Sequence, residues 1–341
     1  MRVLITGASG FVGGHLSLAC AREGDEVIGL SRTGRVPEGA GEGRAIDLRD
    51  GAAARRAFAD AAPEVVYHLA ALSSVGRSWE DPARTVTDNV GCAISVLEAV
   101  RTAAPQARVV WVSSCEVYGA PAELPVHERA PLAPANPYAV SKASGDMLAG
   151  VYAAAHGLEI IRARPFNHAG PGQLPIFIVS SLAQQAAQAR IAGDEVVRIL
   201  TGNPDTRRDF TDVRDVARAY RLLAQGAAGI ANGRTAAVIP DEGIGTGIPT
   251  ERAAAGVYNV SSGRSVSAAE QVELLAELMA PIKVEHSVDP ARARAHEVMD
   301  LRGSHDRLTA ATGWAPEIPL RQTMADTIAW WERELARTAA C

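Results

Sequence analysis

The sequence predicts an α/β protein built on a doubly wound parallel sheet, with a smaller lobe interleaved toward the C-terminus. Three observations lead there. A glycine-rich turn follows the first apolar run. Strand-length apolar runs then alternate with helical periodicity through the first half. Polar residues suited to chemistry fall at the ends of those runs, where ligands of open α/β sheets bind.

The first strand is predicted near 2–6 on the apolar run Val3-Leu4-Ile5, and Thr6-Gly7-Ala8-Ser9-Gly10-Phe11-Val12-Gly13 carries it into a helix. Gly7 permits the tight turn, Gly10 lets backbone approach a phosphate, and Gly13 lets the helix lie close to its strand. Unpaired N–H groups and the positive end of a helix dipole would then face a dinucleotide pyrophosphate. Taken alone, the pattern also fits an ordinary βα turn.

Further strands are predicted near 26–30, 65–69, 108–113 and 159–164, with helices near 11–23, 50–60, 84–103 and 137–156. Parallel strands need such helical crossovers. The strand ends then bring forward Ser31-Arg32, Ala70-Ala71, Ser113-Ser114 and Pro165-Phe166-Asn167. Past Asn167 the alternation weakens, and the segments near 170–205 and 260–320 are punctuated by proline and glycine. Residues 1–165 are therefore expected to form the dinucleotide-binding domain, joined by a returning segment near 206–226. Residues 166–205 and 227–335 would form the substrate lobe. The Gly/Ala-rich stretch near 226–256 reads as a surface loop, with a flap over the cleft as the alternative.

Composition excludes several classes. The chain has 341 residues, is 47% hydrophobic and 21% charged, and carries a net charge of −5, so no global basic surface recruits nucleic acid or an anionic membrane. No apolar run is long enough to span a bilayer, and the chain enters a strand without a signal h-region, so the cytoplasm is the expected location. Cys20, Cys92, Cys115 and Cys341 show no CxxC pairing, and the eight histidines show no ligand spacing; no metal site is expected.

Tyr138 and Lys142 stand four apart at the start of a predicted helix, which puts them on one face. An ammonium beside the phenol is expected to lower its pKa, so that Tyr138 exchanges a proton with a sugar hydroxyl or carbonyl. The bland alternative is a half-buried tyrosine beside a surface lysine. Ser114 is placed to bond the same reacting oxygen. Glu116 is either a base or a partner for backbone in its turn; Cys115 is a small packing residue or a weak acid. Arg32 stands where an acidic residue would accept from the ribose 2′-OH of NAD. An arginine there accommodates a 2′-phosphate, so NADP(H) is favoured and NAD(H) is the alternative. Asp47 meets the adenine or caps the following helix. Arg207-Arg208 and Arg292 to Arg294 suit diphosphate oxygens, although such clusters are also common on surfaces.

Together these residues resemble the extended short-chain dehydrogenases/reductases that act on nucleotide sugars, a family with a Rossmann-type fold. The likeness covers the chain except about 226–256. The TGxxGxxG turn and the order Ser114, Tyr138, Lys142 carry it. So do Leu69-Ala70-Ala71-Leu72-Ser73-Ser74-Val75-Gly76-Arg77-Ser78-Trp79, Arg164 to Gln173 (RPFNHAGPGQ), and Arg207-Arg208-Asp209-Phe210-Thr211-Asp212-Val213. These segments are most similar to GDP-6-deoxy-4-keto-mannose reductases, and next to GDP-mannose 4,6-dehydratases. Two departures stand out. Cys115 lies where the reductases carry a small residue and sugar dehydratases carry Asp or Ser, and the stretch near 226–256 is longer than the family pattern.

The resemblance implies roles. Ser114, Tyr138 and Lys142 would be catalytic; Glu116 and Cys115 are candidates from the residues themselves, Glu116 to abstract a C5 proton in a dehydratase or epimerase and Cys115 or Ser114 to help the leaving hydroxyl. Gly7, Gly10, Phe11, Val12, Gly13, Ser31, Arg32, Asp47, Leu48, Leu69, Ala70, Ala71, Asn89, Pro165, Asn167 and His168 would line the cofactor. Ser73, Ser114, Asn167, Asn203, Arg208, Arg294 and Glu297 would contact a nucleotide-diphosphate sugar, GDP-linked by preference. A homodimer through the helices near 84–103 and 137–156 is implied as well. The expected activity is NADPH-dependent reduction of a 4-keto sugar. A dehydratase or epimerase that regenerates its cofactor is the alternative, and a non-catalytic NADP-sensing protein is disfavoured by the intact Ser114, Tyr138 and Lys142.

Overall fold

The computed structural model describes residues 1–226, 256–289 and 298–339. The first half runs β1 (Arg2–Thr6), α1 (Phe11–Arg22), β2 (Glu26–Ser31), β3 (Glu42–Ala45), α2 (Gly51–Ala61), β4 (Val65–His68), α3 (Val75–Glu80), α4 (Pro82–Ala103), β5 (Arg108–Val112), α5 (Pro137–His156) and β6 (Ile160–Pro165). A 3₁₀ turn, Cys115–Tyr118, follows β5.

The second half adds β7 (Asn167–Ala169), α6 (Ile178–Ala192), β8 (Val196–Thr201), β9 (Arg207–Asp212), α7 (Val213–Gly226), β10 (Val257–Val260), β11 (Ser265–Ser267) and α8 (Ala268–Met279). It closes with β12 (Lys283–Val288), β13 (Asp300–Leu301), α9 (Asp306–Thr312) and α10 (Leu320–Ala339).

Seven strands form one sheet in the order β10-β6-β5-β4-β1-β2-β3, and every pairing in it is parallel. Alternate residues of its apolar runs feed two cores. Leu4, Val66, Val109 and Trp111 pack with Phe58, Leu97 and Val100 of α2 and α4 on one face. Val3, Ile5, Tyr67 and Val110 pack with Leu16 of α1 and Val216, Tyr220 and Leu223 of α7 on the other. Burial on both faces is why these strands read as continuous apolar runs. A third core joins α6, α8 and α10 through Leu182, Ala186, Leu275, Met324 and Trp331. Beside it lie a four-stranded sheet, β11-β9-β13 with β7 on β9, and the pair β12-β8.

Two differences from the sequence reading have physical causes. Residues 257–260, expected in the substrate lobe, form β10 and extend the large sheet beside β6. There Val257 and Val260 are buried, and β10 replaces β6 as the edge of the sheet. Strand β3 escapes notice because Glu42-Gly43-Arg44-Ala45 is an exposed edge strand with no apolar run. The stretch near 226–256 lies outside the described residues, apart from its two ends.

Helix starts follow the side chains available. Asp50, Ser74, Asp81 and Asn136 each accept a backbone N–H at the start of α2, α3, α4 and α5, and Pro82 and Pro137 sit at the first helical positions of the last two. Helix α1 begins at Gly10 with no side-chain cap. Its leading amides are thus left facing the cleft.

Candidate active site

Every sequence-predicted site residue except Arg294 and Glu297 borders one cleft of about 1480 Å³, running across the carboxyl ends of the large sheet into the second half of the chain. Arg294 and Glu297, with Arg292, lie outside the described residues.

The glycine turn forms one end. Gly7 has φ +75°, and a Cβ there would come within 2.9 Å of the Ala70 amide nitrogen. A Cβ on Gly13 would approach the Gly7 carbonyl oxygen to 2.2 Å. Turn, helix and the β4 loop therefore close to a distance only glycine allows. Thr6 ties them together: its Oγ1 accepts from the amides of Leu69 (3.2 Å) and Ala70 (3.3 Å) and bonds His68 Nδ1 at 2.9 Å. The Phe11 ring stacks on His168 at 6.0 Å, and His15 Nε2 bonds the Pro171 carbonyl at 2.8 Å, so the 165–172 segment covers the first turn of α1. An uncapped helix start behind a backbone cradle fits a dinucleotide pyrophosphate.

Along the adenosine side, Ser31 and Leu48 are buried, while Arg32 and Asp47 are exposed at the rim. The Ser31 hydroxyl accepts from the Gly34 amide at 3.0 Å and shapes the turn. The capping alternative for Asp47 is corrected: Asp50 caps α2. Asp47 instead holds the backbone and guanidinium of Arg49, whose hydrogen bonds bring its carboxyl down to about 2. Asn89 acts at one remove. Its amide clasps the Leu72 backbone in both directions (2.7 and 3.1 Å) and donates to Ser141 at 2.8 Å, pinning the Ala70–Ser74 loop to α4 and α5.

Ser114, Glu116, Tyr138 and Lys142 all line this cleft. Asn136 caps α5, and its Nδ2 donates to Glu116 Oε2 at 2.9 Å, so the residue that starts the Tyr138 helix also orients Glu116. The Ser114 hydroxyl accepts from the Glu116 amide at 3.2 Å and lines the same cleft as the Tyr138 phenol. Lys142 Nζ donates to the Val112 carbonyl at the end of β5.

One expectation fails here. The phenol is pushed up, not down: burial is the largest cause, the Ser114 bond offsets part of it, and the Glu116 charge adds to it. Desolvation acts on the ammonium too, bringing Lys142 down to about 8. Cys115 is 3% exposed among Val117, Tyr118, Val126 and Phe166, and burial raises its thiol well above the usual range. Packing, not acidity, describes it.

Beyond Asn167 the cleft continues along Phe210, Arg208 and the 200–206 segment. Arg208 Nη1 donates to the Arg207 and Val298 carbonyls, and Asn203 Oδ1 accepts from the Asp205 amide in a local turn. Sequence reasoning assigned no role to Asn136, Gln173, Thr206, Tyr220 or Gln271, which belong to the site or its frame. Only Asn136 carried a usable signal, an N-cap residue directly before Pro137.

Fold and site together define an extended short-chain dehydrogenase/reductase. The family described as GDP-mannose 4,6 dehydratase matches residues 4–327, and the chain belongs to it, a family of enzymes acting on nucleotide sugars. The chain is 35% identical over 336 residues to the GDP-6-deoxy-D-mannose reductase of Pseudomonas aeruginosa, covering 97% of each. Among solved structures it is similar to RMD from Pseudomonas aeruginosa complexed with NADPH, with TM-score 0.75, 31% identity and coverage of 98% of this chain and 100% of that one. It is also similar to the UDP-glucose 4-epimerase of Thermus thermophilus in complex with NAD, with TM-score 0.78, 26% identity and coverage of 97% and 99%. Reductase and epimerase thus both stand among its relatives.

Proposed function

We propose that this enzyme reduces the C4 ketone of a GDP-linked 4-keto-6-deoxy-hexose with NADPH. The observation that carries this reading is the buried Tyr138 phenol, which lines the same cleft as Ser114 and which burial favours in its protonated form. A reduction needs a proton donor at the start, whereas oxidation of a sugar hydroxyl needs a base there. The reductase relative at 35% identity supports the same direction and the GDP linkage.

A bound reduced nicotinamide supplies hydride to sugar C4. Tyr138 gives its proton to the ketone oxygen as the C=O π bond breaks and C–H and O–H bonds form. Ser114 holds that oxygen and bonds the phenol. Lys142, charged below about pH 8, stabilises the tyrosinate left behind. Arg32 at the rim would meet the 2′-phosphate, and Arg208 the sugar diphosphate. The large sheet would hold the cofactor and the second half of the chain the sugar nucleotide.

A second reading, dehydratase or epimerase, rests on Glu116, which Asn136 holds in the same cleft beside Tyr138. With the ketone at C4, Glu116 would remove the acidified C5 proton. Incubation with GDP-, UDP- and dTDP-hexoses and their 4-keto derivatives, with and without NADPH, followed by mass, separates the two. A gain of two hydrogens with NADPH consumed supports the reductase. Loss of water from a GDP-hexose, or a new isomer of equal mass, with no net cofactor change overturns it.

We also propose that α4 and α5 form a homodimer face. They pack together and leave Ile94, Val140, Met147 and Val151 exposed, the last two at 61% and 60%. Charged substitutions at Met147 and Val151 should yield monomers on size-exclusion chromatography with light scattering; a monomeric parent would refute the face.

A further inference from the structure

Arg32, Asp47 and Arg49 all border the cleft where β2 and β3 end. Arg32 directly follows β2, and Asp47 stands two residues past β3. These strands pair in parallel with Ser31 opposite Ala45, and the Ile46 amide donates to the Ser31 carbonyl at 2.8 Å. Adjacent strands lie about 4.8 Å apart, so Arg32 and Asp47 leave the sheet as neighbours. Hydrogen bonds from Arg49 do most to hold the Asp47 carboxyl down, and the Arg32 charge adds to them. Among the described residues, however, Asp47 pairs with Arg49 alone. Arg49 Nε donates to Oδ1 at 3.0 Å, Nη2 to Oδ2 at 2.6 Å, and the Arg49 amide to Oδ1 at 3.0 Å. Arg49 Nη1 reaches Asp88 Oδ1 on α4 at 3.0 Å, which clamps the guanidinium between a strand end and a helix. Arg32 makes no hydrogen bond or ion pair among the described residues.

In a dinucleotide-binding sheet, an acidic side chain past the second strand accepts from a ribose 2′-OH, and an arginine there accommodates a 2′-phosphate. Here both kinds of side chain leave adjacent strand ends. An unpaired Asp47 would repel the 2′-phosphate and would draw Arg32 into an ion pair across the gap. We propose that Arg49 is a specificity-determining residue for the cofactor: it takes up the Asp47 carboxylate, so that Arg32 stays unpaired for the 2′-phosphate of NADPH. Arg49 is a positioning residue, acting through Asp47 without touching the cofactor. The inference rests on the NADPH reading above and adds to it the device that keeps Arg32 available.

The probes are NADPH and NADH, titrated calorimetrically against the whole chain, its Arg49→Ala variant, and the double variant that adds Asp47→Asn. The Arg49 and Asp47 side chains are about half exposed, so the substitutions should leave the fold intact. Arg49→Ala should weaken NADPH about three- to five-fold and NADH by less than about two-fold. Adding Asp47→Asn removes the liberated anion and should return the NADPH/NADH ratio to the parental value. Loss of a merely structural contact would not be repaired by that second substitution. Unchanged NADPH affinity in Arg49→Ala, equal weakening of both cofactors, or a lowered ratio that Asp47→Asn fails to restore overturns the role of Arg49 while leaving the NADPH reading intact. A parent that binds NADH as tightly as NADPH overturns that reading instead.

Discussion

Asp146 and Arg164 form a buried two-point ion pair, Nε to Oδ2 and Nη2 to Oδ1, both at 2.9 Å, one helical turn beyond Lys142. Burial works against the Asp146 charge, but Arg164 holds its carboxyl below the usual carboxylate range. Arg164 also donates to the Tyr118 hydroxyl at 3.0 Å, and Tyr118 in turn donates to Asn259 Oδ1 at 2.8 Å. This network fixes the axial position of α5, and with it Tyr138 and Lys142, against β6 and β10. Asp146→Ala strands a buried guanidinium, so we expect a loss of about 3–5 kcal/mol in chemical denaturation. A loss below about 1 kcal/mol would mean that the pair does not hold the helix.

The pH profile of kcat/KM should fall on its basic side as pH rises through about 8, where the Lys142 ammonium is lost. Tyr138 cannot account for this limb, because its phenol is pushed above its ordinary range. Stability runs the other way. The folded lysine titrates near 8 and an ordinary one at 10.5, so the unfolded chain binds more protons between them and stability rises with pH in that window. Activity lost while the thermal midpoint holds or climbs is the expected combination; a profile that stays flat to about pH 9.5 contradicts it.

Gly13→Ala should abolish NADPH binding, measured by quenching of protein fluorescence. Its Cβ would meet the Gly7 carbonyl oxygen at 2.2 Å, a backbone atom that yields only if the turn opens. Retention of parental affinity would show that the turn is not the pyrophosphate cradle.

Arg32→Ala should raise the KM for NADPH about 10- to 100-fold and leave that for NADH within about two-fold, since the guanidinium would meet only the 2′-phosphate. Parallel changes for both cofactors would remove Arg32 from cofactor choice.

Much of the large sheet was legible because its signals are local. Val3-Leu4-Ile5 before a glycine turn, and Asn136-Pro137 before an apolar-periodic run, say where a strand stops and a helix starts within a few residues. The four-residue spacing of Tyr138 and Lys142 decides their shared face for the same reason. Helix α8 does carry a local start signal, the capping box of Ser267 and Glu270, which the sequence reading passed over; α6 has no side-chain cap. The apolar faces of α6, α8 and α10 acquire meaning only against one another, as Leu182, Leu275 and Ile328 do in the third core.

The amino-acid order alone therefore determined the winding of the sheet, the glycine turn and the shared helix face of Tyr138 and Lys142, since each depends on neighbours a few bonds away. Tertiary structure decided what no local pattern encodes. It placed 257–260 beside β6, brought Arg208 into one cleft with Tyr138, and left Asp47 to Arg49 instead of a helix cap. It also reversed the expected shift of the Tyr138 phenol, because desolvation is the summed effect of every group packed around an atom and belongs to no single stretch of chain.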